Sequence, residues 1–242
     1  NVTKEKSAGI LGEKSEITNS GTGSNGIELS AIKTAGIIGN NDSKVTNSGR
    51  IETKTATPGS ASEGLVGISL NDSKGNNDTS GTITLGTAYS TGMYGVVKST
   101  LTNAGRITGD KQKAVGMAAK GSNATNNAGK SIVLEGKGST GIFGKNGSTV
   151  SNAGTIETKT AVPSNSTEGL VGIALNASTG TNETSGEIKL GTAHSTGMFG
   201  EANGTVKSDV TNSGTITGIG EGTVGVAVIG SEATNSNGAT IS

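Results

Sequence analysis

One seven-residue motif returns along most of the chain and constrains its fold more than any other feature. Residues 45–51 read Val-Thr-Asn-Ser-Gly-Arg-Ile, that is, an apolar residue, turn residues, a Gly and another apolar residue. Close copies occupy residues 101–107, 150–156 and 210–216. Residues 79–83 and 184–188 are interpreted as weaker copies with Thr in place of Asn. A unit that recurs at intervals of 24–32 residues is typical of one coil of a solenoid.

A second motif, a Gly followed by an aliphatic residue, alternates with the first and indicates the number of coils. Its nine copies lie 24–31 residues apart, so we predict nine coils. The copies begin at Gly9, Gly36, Gly67, Gly92, Gly116, Gly141, Gly172, Gly197 and Gly225. In five of them a second Gly follows three residues later. From Gly36 onward, the residue two positions after the first Gly of each copy is alternately large and small. We expect this alternation to ease packing between stacked coils.

The composition excludes several classes of protein. Leu, Ile, Val and Phe account for only 46 of the 242 residues, enough for a thin core shared by stacked coils but not for a thick globular one. The 19 basic residues balance 19 acidic ones and are scattered, which argues against nucleic acid as a partner. There is no Cys, and therefore no disulfide or thiolate metal site. No apolar run is long enough to span a membrane as a helix, and no signal peptide stands at residue 1.

Short runs rich in β-branched residues and bounded by Gly, Asn and Ser predict strands rather than helices. Alternate residues of a strand point the same way, which turns Ile83 with Leu85, and Ile132 with Leu134, toward one core. We therefore predict an all-β fold, a right-handed parallel β-helix of about nine coils. The recurring Asn residues are expected at its corners, stacked in a hydrogen-bonded ladder. They are Asn47, Asn103, Asn152 and Asn212.

The coils form a larger repeat within a single predicted domain, residues 1–242. Residues from 45 match residues from 150 at an offset of 105, which divides most of the chain into blocks 45–149 and 150–242. Each block is expected to carry two surface loops: 55–63 with its copy 160–168, and 71–78 with its copy 176–183. The first pair of loops supplies candidate binding residues, namely Pro58, Glu63, Pro163 and Glu168.

Three aromatic residues, Tyr94, Phe143 and Phe199, are the remaining candidate binding residues. If the residue before each ring points inward, the ring points outward and the three form a binding stripe. The Gly after each ring would instead mark a corner that turns the ring inward. The sequence leaves both orientations open, and the alternation of large and small residues favours the core.

No catalytic or metal site is predicted. His194 is the only His, and its counterpart in the first block is Tyr89. The polar stretch 72–78 lacks the bidentate Glu of a calcium loop. The recurring carboxylates Glu52 and Glu157 are separated by four coils, too far for the carboxylate pair of a glycosidase. We therefore expect a protein that is not an enzyme and that uses no cofactor.

The motif at 45–51, its copies and the Gly-Ile strands resemble passenger regions of Gram-negative type V autotransporters, especially large adhesins. The resemblance covers nearly the whole chain. It implies a secretion signal and a C-terminal outer-membrane domain in the full-length protein. Neither occurs in these 242 residues, so we expect a fragment of a longer passenger.

The function expected from this resemblance is adhesion at the bacterial cell surface, on the extracellular side of the outer membrane, or after secretion. A stiff rod would display loops and a side-chain stripe to a host cell-surface glycoprotein, a glycan or another bacterial surface. A polysaccharide-active β-helix enzyme remains an alternative, as does a structural spacer or a trimeric fibre. The oligomeric state is left open.

Overall fold

The computed structural model describes residues 1–159 and 161–242 as a parallel β-solenoid of nine coils. Three nine-stranded parallel sheets run along the rod, and each coil contributes one strand to each sheet. Most strands of the first sheet have six residues, and most strands of the other two sheets have four. The predicted all-β solenoid and its nine coils are confirmed, and the described part of the chain contains no α-helix.

The first sheet contains β1 (Ala8–Glu13), β4 (Ala35–Asn40), β7 (Val66–Asn71), β10 (Thr91–Val96), β13 (Val115–Lys120), β16 (Thr140–Lys145), β19 (Val171–Asn176), β22 (Thr196–Glu201) and β25 (Val224–Ile229). The second contains β2 (Glu16–Asn19), β5 (Lys44–Asn47), β8 (Lys74–Asn77), β11 (Thr100–Asn103), β14 (Asn123–Asn126), β17 (Thr149–Asn152), β20 (Thr179–Asn182), β23 (Asp209–Asn212) and β26 (Glu232–Asn235). The third contains β3 (Ile27–Leu29), β6 (Arg50–Thr53), β9 (Thr82–Leu85), β12 (Arg106–Gly109), β15 (Ser131–Leu134), β18 (Thr155–Thr158), β21 (Glu187–Leu190), β24 (Thr215–Gly218) and β27 (Thr240–Ile241). Two short 3₁₀ turns are η1 (Gly23–Asn25) and η2 (Ala61–Glu63).

The core is a thin column to which each strand contributes alternate side chains. The predicted inward pairs, Ile83 with Leu85 and Ile132 with Leu134, are all buried. In the first sheet, β10 and β22 bury Met93 and Met198 completely. Burying an aliphatic side chain of this size stabilises the fold by about 1.5–3 kcal/mol, so a few such residues per coil sustain a slender rod.

Nine Asn side chains form one hydrogen-bonded column inside the corner between the second and third sheets. Each Nδ2 donates to the Oδ1 of the Asn in the next coil, at 2.7–2.9 Å. The column contains the four predicted residues Asn47, Asn103, Asn152 and Asn212, together with Asn19, Asn77, Asn126, Asn182 and Asn235.

The interpretation of Thr79 and Thr184 as replacements for Asn is wrong. Asn77 and Asn182 occupy the column in those two coils. Thr79 and Thr184 lie in corners that have two more residues between the Asn and the Gly than the corner of 45–51 has. Aligning the motif on its Gly concealed this insertion.

A column of serines, which the sequence analysis did not identify, lines the corner between the first and second sheets. The backbone N–H of each Ser donates to the Oγ of the Ser in the next coil, at 3.0–3.3 Å. Its members are Ser15, Ser43, Ser73, Ser99, Ser122, Ser148, Ser178, Ser208 and Ser231. A Ser that recurs once per coil after the first-sheet strand was the available signal.

The prediction of loops at 71–78 and 176–183 is wrong, because these stretches contain β8 and β20. Their inward positions hold Gly75 and Gly180, which hides the apolar alternation of a strand. A leucine at the end of the preceding first-sheet strand fills the space. A Cβ on Gly75 would lie 2.6 Å from Cδ1 of Leu70, and a Cβ on Gly180 would lie 2.6 Å from Cδ1 of Leu175.

In coils that carry the second Gly of the Gly-aliphatic motif, the arrangement is reversed. The first-sheet position is then the Gly, and the second-sheet position holds the large side chain. A Cβ on Gly39 would lie 2.7 Å from Cγ2 of Val45, and a Cβ on Gly144 would lie 2.8 Å from Cγ2 of Val150. One large side chain therefore fills a space that two inward positions share. This reciprocal packing gives the alternation of coil types a physical cause within each coil.

Candidate functional site

The two longest corner loops lie between the third and first sheets, at 55–63 before β7 and at 160–168 before β19. Thr160 lies outside the described residues. The loops are four coils apart, which corresponds to roughly 19 Å along the rod. Pro58 and Pro163 are buried at the base of their loops. These two candidate residues therefore anchor the loops and are not displayed by them.

Glu63 and Glu168 hold the two loops in the same way. The backbone N–H of Gly59 donates to Oε2 of Glu63, and that of Ser164 donates to Oε2 of Glu168, both at 2.8 Å. Nζ of Lys137 also donates to Oε2 of Glu168, at 2.9 Å. The Ser164 N–H, and then Lys137, hold the pKa of the Glu168 carboxyl below its usual value. Both carboxylates close their own loops.

The corner next to each loop carries a ring. Tyr89 and His194 occupy equivalent positions four coils apart, each one coil after its loop, and both have left-handed backbone angles, φ 56° and 55°. Nζ of Lys113 lies 5.2 Å from the centre of the Tyr89 ring.

The three aromatic candidates lie on the outer face of the first sheet, so the expectation that they belong to the core is wrong. Tyr94, Phe143 and Phe199 are half-buried, whereas the residues before them are fully buried. Adjacent residues of these strands point to opposite faces because the Gly after each ring does not turn the strand. That Gly stays paired in the first-sheet ladder. In the described residues the rings are therefore surface groups partly covered by their neighbours.

Small residues separate the rings. Ala118 pairs with both Tyr94 and Phe143 in the ladder, and Ala174 pairs with both Phe143 and Phe199. Successive rings are thus two coils apart, or about 10 Å. We call this column, from Tyr94 to Phe199, the aromatic stripe.

A groove of about 330 Å³ opens on the stripe between Tyr94 and Phe143. Lys120, Lys145 and Asn146 form its other side, at the end of the first-sheet strands. The candidate loops precede first-sheet strands, whereas the groove lysines end them. The loops and the groove therefore lie at opposite ends of the first-sheet strands. The structure does not bring the two sets of predicted residues into one cluster.

The lysines of this groove were not identified from the sequence. The net charge of the sequence does not distinguish a lysine that pairs with a Glu from one that does not. Among the described residues, lysines of the third sheet pair with glutamates, whereas the groove lysines do not. The signal that distinguishes Lys120 and Lys145 is their place at the end of two adjacent six-residue strands, with no acidic residue in either strand.

The third sheet carries four glutamates, Glu28, Glu52, Glu157 and Glu187, and each of them pairs with a basic side chain. Nζ of Lys54 lies 3.1 Å from Glu28 and 3.2 Å from Glu52, and Arg50 also pairs with Glu52. In the second block the pairs are Lys159 with Glu157 at 3.3 Å and Lys189 with Glu187 at 2.7 Å. The Lys189 ammonium lowers the pKa of the Glu187 carboxyl.

Within the described ranges, 1–159 and 161–242, no group of three or more His, Cys, Asp or Glu side chains is arranged to hold a metal ion. The same residues contain no helix with the length and apolar character needed to cross a membrane.

Comparison with known proteins identified one family. The family model described as "BigA third pectate lyase-like domain" matches residues 109–242, more than half of the chain. No curated protein and no solved structure matches the chain.

Proposed function

We propose that this chain, which belongs to the BigA third pectate lyase-like domain family, is a non-catalytic binding region of a bacterial cell-surface adhesin. The solenoid places its sheets on a long rod, and the rod presents the aromatic stripe to a host surface glycoprotein or glycan, or to another bacterium. The protein acts on the extracellular side of the outer membrane or after secretion.

The aromatic stripe is the observation that carries this proposal. Aromatic rings that lie half-buried on the outer face of a sheet lose further contact with water when a partner covers them, and aromatic residues contribute strongly to interface energies. Tyr94, Phe143 and Phe199 recur at regular spacing on one sheet. A regular row of this kind suits contact with an extended or repeating surface.

A polysaccharide-cleaving enzyme is the second candidate, since the family name refers to pectate lyase. A glycosidase would need a carboxylic acid whose proton is retained near neutral pH. The carboxylates of the third sheet are instead ion-paired, and the pKa values of Glu168 and Glu187 are lowered, which favours the ionised form. These features argue against a glycosidase, whereas a lyase, which cleaves by elimination, has no need of such an acid.

An adhesion assay tests the proposal. The purified chain is immobilised on beads, and bead attachment to cultured epithelial cells and to bacterial cells is counted. We expect the triple variant Tyr94→Ala, Phe143→Ala and Phe199→Ala to attach at least about tenfold less, consistent with hot-spot losses. A control variant changes outward threonines of the second sheet, Thr102→Ala, Thr125→Ala and Thr181→Ala, and should attach normally. Equal attachment of both variants, with both folded by circular dichroism, would contradict the proposal.

A further inference from the structure

Charge is distributed unevenly along this neutral chain. Residues 79–156 contain eight basic residues and only two acidic ones, whereas the whole chain has 19 of each. These residues run from before β10 to the start of β18, that is, through the fourth and fifth coils and most of the sixth, where the aromatic stripe begins. The basic residues are Lys98, Arg106, Lys111, Lys113, Lys120, Lys130, Lys137 and Lys145. The middle of the rod is therefore a positively charged belt.

Two lysines of this belt lie side by side without an opposite charge. Lys120 and Lys145 are direct partners in the first-sheet ladder, and both line the groove beside Tyr94 and Phe143. No described residue forms an ion pair with either side chain, or with Lys98 at the corner one coil earlier. Like charges placed opposite each other on neighbouring strands destabilise a sheet.

The third sheet differs from this groove in that its lysines lie beside glutamates. Lys54, Lys159 and Lys189 each contact a Glu within 3.3 Å. Lys120 and Lys145 instead lie beside each other and beside half-buried aromatic rings, so we expect a bound anion to supply the compensating charge.

We propose that the groove and the adjoining aromatic stripe bind a linear sulfated glycan, with sugar faces on Tyr94 and Phe143 and sulfate groups at Lys120 and Lys145. This inference rests on the proposed function and names the ligand of the same surface. Successive rings are about 10 Å apart, two coil spacings. A disaccharide unit of an extended glycan has a similar length, so every second sugar meets the next ring of the stripe.

The charge spacing distinguishes the glycan from nucleic acid. Lys120 and Lys145 place two positive charges on adjacent coils, about 4.8 Å apart. Along the axis of a nucleic-acid duplex one strand advances about 3.4 Å per phosphate, which does not match this spacing. A sugar ring is close to the coil spacing in length, so a charge on each sugar matches one lysine.

The residue type favours sulfate over carboxylate. Arginine recognises a planar carboxylate through two parallel hydrogen bonds, whereas the lysine ammonium acts as a point charge. The groove uses only lysine, and the one Arg of the belt, Arg106, belongs to the third sheet.

The test measures binding of a fluorescent heparin oligosaccharide to the whole chain by anisotropy over a series of salt concentrations. We expect Lys120→Ala with Lys145→Ala to weaken binding at least about tenfold and to reduce the slope of log affinity against log salt by about one per lysine. Tyr94→Ala with Phe143→Ala should weaken binding without changing the slope. The matched control, Lys159→Ala with Lys189→Ala, removes the same charge and should change affinity less than about twofold, because these lysines lie outside the groove and already pair with Glu157 and Glu187.

Three outcomes would overturn the inference: no binding of heparin by the unchanged chain, equal losses in the groove and control variants, or tighter binding of single-stranded DNA or of unsulfated hyaluronan than of heparin. The adhesion assay keeps the two proposals separate. If the aromatic triple variant loses cell attachment while heparin neither binds nor competes, the proposed function stands and the sulfated ligand is wrong.

Discussion

At the scale of single residues, side-chain direction within a strand decides which groups stabilise the rod and which are available for binding. Met198 and Phe199 are neighbours in β22, yet Met198 is fully buried and Phe199 is half-buried on the outer face. The pair therefore separates core packing from surface function on one strand.

Alanine substitution of these neighbours should give different stability losses. Met198→Ala removes a fully buried side chain and should lower the free energy of unfolding by about 2–5 kcal/mol. Phe199→Ala should cost less than about 2 kcal/mol, since the ring is only partly buried. Urea denaturation followed by circular dichroism measures both. A larger loss for Phe199→Ala would show that the ring belongs to the core.

The Asn column makes a second prediction at this scale. Asn152→Leu would leave Nδ2 of Asn126 and Oδ1 of Asn182 without their present partners, both inside the protein. Each unsatisfied buried group costs about 1–3 kcal/mol, so we expect a loss of roughly 2–4 kcal/mol. Thr149→Val, on the outer face of the same strand, is the control. Thermal unfolding that is unchanged in the Asn152 variant would refute the role of the column.

At the scale of elements, the reciprocal packing of Leu70 and Gly75 links two strands of one coil. Leu70→Gly alone leaves a cavity and should cost about 2–5 kcal/mol. Gly75→Leu alone overpacks the same space and should cost about 1–3 kcal/mol. The double variant recreates the arrangement of coils with two glycines, so its loss should be smaller than the sum by about 0.5–3 kcal/mol. A double-mutant cycle by urea denaturation measures this, and simple additivity would contradict shared packing.

The loop closed by Glu168 provides a pH prediction. The folded-state pKa of its carboxyl is lowered, mainly by the Ser164 N–H, so the contact is fully present above the usual value of 4.5 and is lost as pH falls through the folded pKa. The amide resonance of Ser164 in NMR spectra should titrate with a midpoint below 4.5, and Glu168→Gln should abolish that titration. A midpoint at or above 4.5 would show that the carboxylate does not hold the loop.

The periodicity of this sequence was sufficient for the solenoid, the nine coils and four members of the Asn column, because each coil repeats the same inward residues. It was insufficient where a feature depends on contacts between strands. Gly75 and Gly180 conceal two strands because Leu70 and Leu175 fill their space. The outward direction of Tyr94 and the unpaired state of Lys120 depend on register and neighbours, which motif spacing does not specify.

At the scale of the whole molecule, the chain is a stack in which each coil contacts its neighbours through three sheets and two polar columns. Stability of such a stack is approximately a sum of coil and interface terms, so a surface change in one coil leaves distant coils intact. This lets the rod keep its shape while the outer face varies. The basic belt and the aromatic stripe are local additions to that scaffold.

We propose that the binding surface is the outer face of the first sheet and not the loops that precede its strands. Lysine acetylation of the chain, free and attached to cultured epithelial cells, followed by mass spectrometry tests it most directly. We predict that attachment protects Lys120 and Lys145 and leaves Lys159 and Lys189 as reactive as in the free chain. Protection of Lys54 and Lys137 beside the loops, with Lys120 and Lys145 still reactive, would contradict the claim.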